Sequence, residues 1–272
     1  MHSIVCLKQV PDTAEVRIDP KTNTLLREGV PSIINPYDVH ALEEALRLKD
    51  QFGGKVTVIS MGPPQAAEAL KKAISYGADR AILLSDRKFG GADTLATSYV
   101  LAKAIEKISI LEPPDLVFAG KQAIDGDTAQ VGPGVAARMN YALITYIERV
   151  EEFNIVDGYV IAVRKIEGKK EYVKAKLPAM LTALKGINEI RYASMPDMMR
   201  AARYKPEVWG ADELGDIEED KLGLKGSPTW VSKSFTPPPM VRAQGKNLEG
   251  AAADISRQLV DKLVPMVVVA NK

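Results

Sequence analysis

The chain has 272 residues, 46% of them hydrophobic and 26% charged, enough to bury a substantial core. With 36 basic against 35 acidic residues its net charge is +1, so bulk electrostatics give no case for nucleic acid or anionic membrane as a partner. One cysteine and two histidines exclude an internal disulfide and argue against a Cys/His zinc site.

Residues 3–7 read as a buried strand that leads into Lys8-Gln9-Val10-Pro11-Asp12. Residues 13–34 contain Pro20, Asn23, Gly29 and Pro31 and fit a short hairpin or excursion. Asn35-Pro36-Tyr37-Asp38 then opens a helix. Val39, Leu42, Ala45, Leu46 and Leu48 recur at helical spacing, Pro36 is harmless in the first turn, and Gly53-Gly54 ends the run. The alternation repeats with a β-branched strand at 55–60, a helix at 65–76, a strand at 81–84, a helix at 94–108 with Asp93 as its cap, a strand at 116–119 and a helix at 128–139. Strands alternating with helices of this length predict βαβ units and a parallel sheet covered on both faces.

From Leu143 the rhythm changes. Residues 146–153, 159–166 and 171–174 read as strands separated by turns at Asp157-Gly158 and Glu167-Gly168, an antiparallel excursion. Residues 178–184 return to the core. The segment 186–204 is rich in Met, Arg and Ala, and 206–239 is polar and ends in Phe235-Thr236-Pro237-Pro238-Pro239, a stiff linker. Residues 248–264 form an amphipathic helix with Ile255, Leu259 and Leu263 on one stripe, which must dock on this body or on another chain. The expected fold class is α/β: a doubly wound, mainly parallel sheet with an antiparallel excursion and a C-terminal extension ending in a helix. The N-terminus is charged by Lys8 and has no small-residue cleavage pattern, and no run is long and apolar enough to span a bilayer, so a cytoplasmic protein is expected.

In an open parallel sheet, ligands bind beyond the carboxyl ends of the strands, which directs attention to the loops at 8–12, 60–63, 89–94 and 120–128. The last is the richest. It runs from Gly120-Lys121-Gln122 through Asp125-Gly126-Asp127-Thr128 to a helix start, where free N–H groups suit a phosphate oxygen. Thr128 and Gln130 could bond a ribose or an adenine edge. The plainer reading makes Asp127 a helix cap and Gly126 a turn. Gly91-Ala92-Asp93-Thr94, with Thr97 one turn on, is open to the same two readings, and Ser60-Met61-Gly62-Pro63 is either a close-approach loop or a plain turn. The dinucleotide fingerprint G-x-G-x-x-G and the phosphate loop G-x-x-x-x-G-K-[ST] are both missing. Cys6 reads as a buried core residue, and neither His2 nor His40 has a triad setting.

Four stretches together resemble the electron transfer flavoprotein beta subunits: VCLKQVPD at 5–12, NPYDVHALEEALRLKD at 35–50, GKQAIDGDTAQVGP at 120–133, and LPAMLTALKGINEIRYASMPDMMRA at 177–201. They fall in family order over nearly the first 205 residues. The resemblance implies an α/β domain at 1–205 that binds flavin or nucleotide, followed at 206–272 by a linker and a helix docking on an FAD-carrying alpha subunit. It implies AMP or a second FAD in this chain, and the GDTAQVGP, NPYD and GADT motifs look like the electron-bifurcating type, which points to FAD. In that type NADH is the electron donor, and electrons pass to ferredoxin or flavodoxin and to a quinone oxidoreductase or acyl-CoA dehydrogenase system. The implied ligand contacts are Cys6, Leu7, Lys8, Gln9, Asn35, Ser60, Met61, Gly62, Asp93, Thr94, Thr97, Gln122, Ala123, Asp125, Gly126, Asp127, Thr128, Ala129, Gln130 and Val131. Residues 187–202 are expected to face a partner, with Met195 either the exposed apolar anchor for a docking dehydrogenase or a core residue. No catalytic acid, base or metal is expected, since the chemistry belongs to the flavin. A nucleotide-binding regulatory module and an ATP-using ligase of similar plan are the rival readings, the ligase disfavoured by KQVPD where its glycine-rich motif would stand.

Overall fold

The computed structural model describes residues 1–12, 17–18, 25–26, 32–232 and 247–270. The chain opens with β1 (His2–Cys6), all five residues of which are buried. Four short strands follow: β2 (Gln9–Pro11), β3 (Arg17–Ile18), β4 (Leu25–Leu26) and β5 (Ser32–Ile34). β2 pairs antiparallel with β5, and β3 with β4, which accounts for the excursion expected at 13–34 as far as its described residues go. Next come α1 (Pro36–Phe52), β6 (Lys55–Met61), α2 (Ala67–Tyr76), β7 (Arg80–Leu84), α3 (Thr94–Ser109), β8 (Leu116–Gly120) and α4 (Val131–Met139).

The predicted alternation is therefore present, with one boundary corrected. The last of these helices starts at Val131, not Thr128, because Asp127 and Ala129 both adopt left-handed backbone, φ 51° and 55°, which a right-handed helix cannot contain. After it come β9 (Ala142–Asn154), β10 (Tyr159–Ile166), β11 (Lys169–Lys176), β12 (Ala179–Ala183) and α5 (Met195–Arg203).

These strands make one nine-stranded sheet in the order β11-β10-β9-β12-β8-β1-β6-β7 and, at the far edge, β13 (Glu207–Trp209). Pairing is parallel from β12 to β13, and antiparallel between β9, β10 and β11. β9 serves both regimes. Its first half runs parallel to β12, and its second half turns back on β10 beyond Tyr146, whose left-handed φ of 59° marks the bend.

Residue alternation along the strands builds two cores. Val5, Val58, Leu83, Phe118 and Leu181 face α1 and α2, while Ile4, Cys6, Ile59, Leu84, Val117 and Met180 face α3 and α4. The chain builds outward from β1 through β6 and β7, then returns to add β8 and β12 on the opposite side. The reversal creates a crevice between the ends of β1 and β8, the place where such sheets bind ligands.

The polar stretch after residue 205 contributes more to this body than its sequence indicates. β13 continues the sheet edge beside β7, α6 (Ala211–Leu214) follows it, and Trp209, Leu214 and Leu222 are buried in the α3 core. Their apolar residues are too widely spaced to register as a periodic run. Trp209 also lies under two cations, Lys107 at 4.8 Å and Arg80 at 5.6 Å. Two compact units result, Met1–Ser234 and Phe235–Lys272. The second contains α7 (Ala252–Ala270), with Ile255, Leu259 and Leu263 on one stripe. The proline linker expected at 235–239 lies outside the described residues. No helix among the described residues is long and apolar enough to cross a membrane.

Candidate functional site at the sheet reversal

The crevice is organised by the first turn of α1. Pro36 sets the backbone for the helix start, and Asn35 and Asp38 on either side of it are both buried. The Asp38 carboxylate accepts the Lys8 N–H at 2.7 Å and the Gly120 N–H at 2.9 Å, so one side chain joins the end of β8 to the loop two residues beyond β1. Burial pushes its carboxyl up to about 7, against the opposing hydrogen bonds from Lys8, Asn35 and Gly120 and the charge of Lys8. Asn35 fixes the next stretch of the loop, donating from Nδ2 to the Gln122 carbonyl at 2.8 Å and accepting the Ile124 N–H at 3.2 Å.

The outer rim is ionic and more exposed. Lys8 Nζ grips both oxygens of Asp125, at 2.7 and 2.8 Å, and Gln122 donates to Asp127 Oδ1 at 2.6 Å. Thr94 at the start of α3 donates to Gln130 Oε1 at 3.0 Å and so links the two helices that flank the crevice. α4 begins with no side-chain cap, so the N–H groups of Val131 and Gly132 remain available to an anion. The reading of Asp127 as a cap is thus corrected: it lies four residues before the helix and binds Gln122 instead. Gly126 stands in open space, with nothing within 4 Å of where a Cβ would be. The two left-handed residues around Thr128 hold this loop in a conformation that ordinary residues avoid, a common property of binding loops.

Other expected contacts are differently placed. Cys6, Leu7 and Ser60 are buried in the floor, and a ligand would meet Cys6 and Leu7 through backbone. Cys6 is the core residue its strand implied: burial, with the charge of Asp38 second, pushes its thiol up to about 12, which leaves it inert. The Ser60 hydroxyl is buried with no hydrogen-bond partner among the described residues. Gly62 approaches Ala66 closely and donates to the Leu84 carbonyl, while Met61 packs on the α3 core. Gln9 reaches the Gln65 carbonyl at 3.4 Å.

Asp93 caps α3 as expected, with Oδ1 accepting the Leu95 and Ala96 N–H groups at 2.9 and 3.1 Å. Its other oxygen accepts from Thr229 Oγ1 at 2.8 Å and from the Thr229 N–H at 3.2 Å. Burial opposes the charged form, yet the bonds from Ala96, Thr229 and Leu95 outweigh it and hold the carboxyl below its ordinary value. Thr97 donates its N–H to the Asp93 carbonyl. Two features escaped the sequence. Asp38 stood inside the NPYD motif, and an acid in a first turn whose neighbour Val39 starts the apolar stripe was the available signal. Thr229 lies in the polar tail and gave none.

Met195 is 67% exposed at the start of α5, which rules out the core reading. Tyr192 and Met199 are exposed beside it. Two cavities of about 560 Å³ each border this region rather than the sheet reversal.

With this geometry in view, residues 22–214 match the family described as Electron transfer flavoprotein domain. The chain belongs to the electron transfer flavoprotein beta-subunit family. It is 53% identical over 264 residues to the electron transfer flavoprotein subunit beta of Clostridium acetobutylicum, covering 97% of this chain and 98% of that one. It is 48% identical over 264 residues to the subunit of the same name in Thermoanaerobacterium thermosaccharolyticum, with the same coverage. A protein called FixA from Azotobacter vinelandii is 54% identical over 239 residues, covering 88% of this chain and 85% of that one. An electron transfer flavoprotein beta subunit works in electron transfer beside an alpha subunit and in association with flavin or nucleotide. The crevice fits such a group: an uncapped helix N-terminus, a polar rim and an orphaned buried hydroxyl all lie at or near the strand ends.

Proposed function

We propose that this chain binds FAD across the sheet reversal and, paired with an FAD-carrying alpha subunit, passes electrons from NADH to ferredoxin or flavodoxin and to a quinone oxidoreductase or acyl-CoA dehydrogenase system. The observation that carries the ligand site is the loop from Gly120 to Val131, pinned to α1 by Asn35 and Asp38 and leading into an uncapped helix. When bound, the flavin supplies the redox chemistry, taking up electrons in pairs and releasing them singly. The residues of this chain do the rest. The Val131 and Gly132 N–H groups would hold its diphosphate, Lys8 and Asp125 would close the rim, and the buried floor would keep water out. The donors and acceptors are carried from the family resemblance, as is the docking of α7 on the alpha subunit, while the cytoplasmic location rests on the charged N-terminus and the lack of a long apolar run.

One observation favours AMP instead. Both oxygens of Asp93 are occupied, by the α3 cap and by Thr229, and Thr94 is bound to Gln130. The polar contacts available to a longer ligand at that loop are correspondingly fewer. Purifying the heterodimer, denaturing it and counting what is released separates the two. Two FAD per heterodimer, with NADH bleaching the flavin absorbance, is the expected result. One FAD and one AMP would make this chain a holder of structural AMP in an ordinary electron carrier.

Met195 is the proposed docking anchor, because it stands with the exposed Tyr192, Met198 and Met199 in one short stretch, and a group of exposed apolar side chains marks an interaction site where a lone one would not. Met195→Ala is expected to weaken coupling to a dehydrogenase by about thirtyfold, the scale of a lost interface hot spot, with flavin content unchanged. Loss of flavin from that variant would make Met195 a structural residue.

A further inference from the structure

The segment that carries Met195 is held in an unusual way. Between Asn188 and Ala201 no residue is buried. Beneath it lies one of the cavities of about 560 Å³, bordered by Lys49 and Asp50 of α1, Tyr76 of α2, and Arg191, Tyr192 and Ser194 of the segment itself. The segment is an arch over a polar space: apolar packing reaches it only at the far end, where α5 lies along α2 through the buried Ala201, and does not fix the stretch from 189 to 194.

Polar pins at its ends take that role. At the near end, two adjacent carboxylates of α1, Glu43 and Glu44, are only 5% and 7% exposed. Buried carboxylates require partners, and the arch supplies them. Asn188 Nδ2 donates to Glu44 Oε2 at 2.9 Å and to the His40 carbonyl at 3.0 Å, and His40 Nδ1 lies 2.9 Å from Asn188 Oδ1. Arg191 binds Glu43 through Nε at 2.9 Å and Nη2 at 3.1 Å, and reaches Asp50 at 2.8 Å. The Arg191 N–H also donates to Glu43, at 3.2 Å. At the far end, Arg200 donates to the Ile74 carbonyl at 3.1 Å and pairs with Asp197, while Ala201 is buried.

His40, Glu43, Glu44 and Asp50 lie along one face of α1, and they converge on residues about 140 positions away in sequence. We propose that Glu43 and Glu44 are positioning residues that act through Arg191 and Asn188 to hold the 192–195 arch, and with it Met195, in the direction needed for a protein partner. The docking significance rests on the role given above to Met195.

The test reads local mobility at position 195. Cys6, the one cysteine, is buried, so a nitroxide attached to Met195→Cys in the full chain reports that site alone. A second label at Val156→Cys, on the exposed β9–β10 turn, is the control for general loosening. Arg191→Met should raise mobility at 195 severalfold and leave 156 unchanged. Because it strands Glu43 as an unpaired buried charge, the double variant Glu43→Leu/Arg191→Met is measured beside it, with both charges removed. Glu44→Leu should also free the arch, whereas Glu44→Gln keeps an acceptor for Asn188 and should restore the wild-type signal. Unchanged mobility at 195 in the double variant, or an equal rise at 156, overturns the proposal. Failure of the docking role would be seen separately, as normal dehydrogenase coupling by Met195→Ala with the label results intact.

Discussion

Asp38→Ala is expected to destabilise the chain by about 3 kcal/mol and to strip the bound nucleotide. The first effect follows from what the carboxylate satisfies. Removing it leaves the Lys8 and Gly120 N–H groups without an acceptor, one of them fully buried, at about 1–3 kcal/mol each. Relief from a buried charge offsets part of this. The second effect follows from position. Lys8 and Gly120 stand on the two sides of the crevice, and the side chain that ties them also sets the distance between the Lys8–Asp125 rim and the loop leading to α4. Denaturant unfolding of the full chain and the nucleotide content of the purified heterodimer measure the two losses. A variant with wild-type stability would show that solvent or a neighbouring group replaces the carboxylate.

The same residue gives stability a pH dependence of definite sign. Its carboxyl is raised in the fold to about 7 from an ordinary value of 3.8, chiefly by burial. Between those two values the folded chain holds a proton that the unfolded chain has released. Stability therefore falls as pH rises through this window, and above about 7 the contribution is flat. Asp38→Asn lacks the titrating group, so the stability of wild type minus that of this variant should decline from pH 5 to pH 7. In the variant the amide oxygen can take one N–H while the amide nitrogen opposes the other, so its stability should lie between those of wild type and the alanine variant.

Much of the fold could be read from sequence because its cues are local. The run at 55–60 is β-branched and buried on both faces, as a central parallel strand must be, and Gly53 with φ 70° ends α1 where its residue type predicted. The loops of the candidate site were also legible, since strand ends followed by glycines and acids mark them. What each side chain does there was not. Asp127 resembled a helix cap, but whether it caps depends on the backbone of Ala129, and alanine gives no warning of a left-handed conformation. Asp93 does cap, yet its second oxygen is taken by Thr229, 136 residues on, in a tail whose apolar residues are too sparse to predict β13 or α6. Asp38 and Asn188 meet partners 82 and 144 residues away, and no periodicity encodes such pairs.

Gly120→Ala is expected to be at least as damaging as Asp38→Ala, and for a related reason. A Cβ at position 120 would lie 2.4 Å from Asp38 Oδ1, 2.5 Å from Tyr37 Cβ and 2.7 Å from the Tyr37 carbonyl carbon. The last is backbone at the start of α1, so the clash cannot be relieved by a rotamer change. Either α1 or the end of β8 must move, and β8 is clamped between β1 and β12. Overpacking of this kind costs about 1–3 kcal/mol, and movement also weakens the Asp38 bond to the Gly120 N–H, which brings the expected loss to about 3 kcal/mol or more. Because the two residues touch, their effects should not add. In an Asp38→Ala background one of the three close contacts is gone and the bond is already broken, so adding Gly120→Ala should cost less than it does in wild type. A double-mutant cycle on unfolding free energies measures this. Full additivity would mean that Tyr37 alone sets the penalty and that Asp38 does not govern how closely α1 approaches the end of β8.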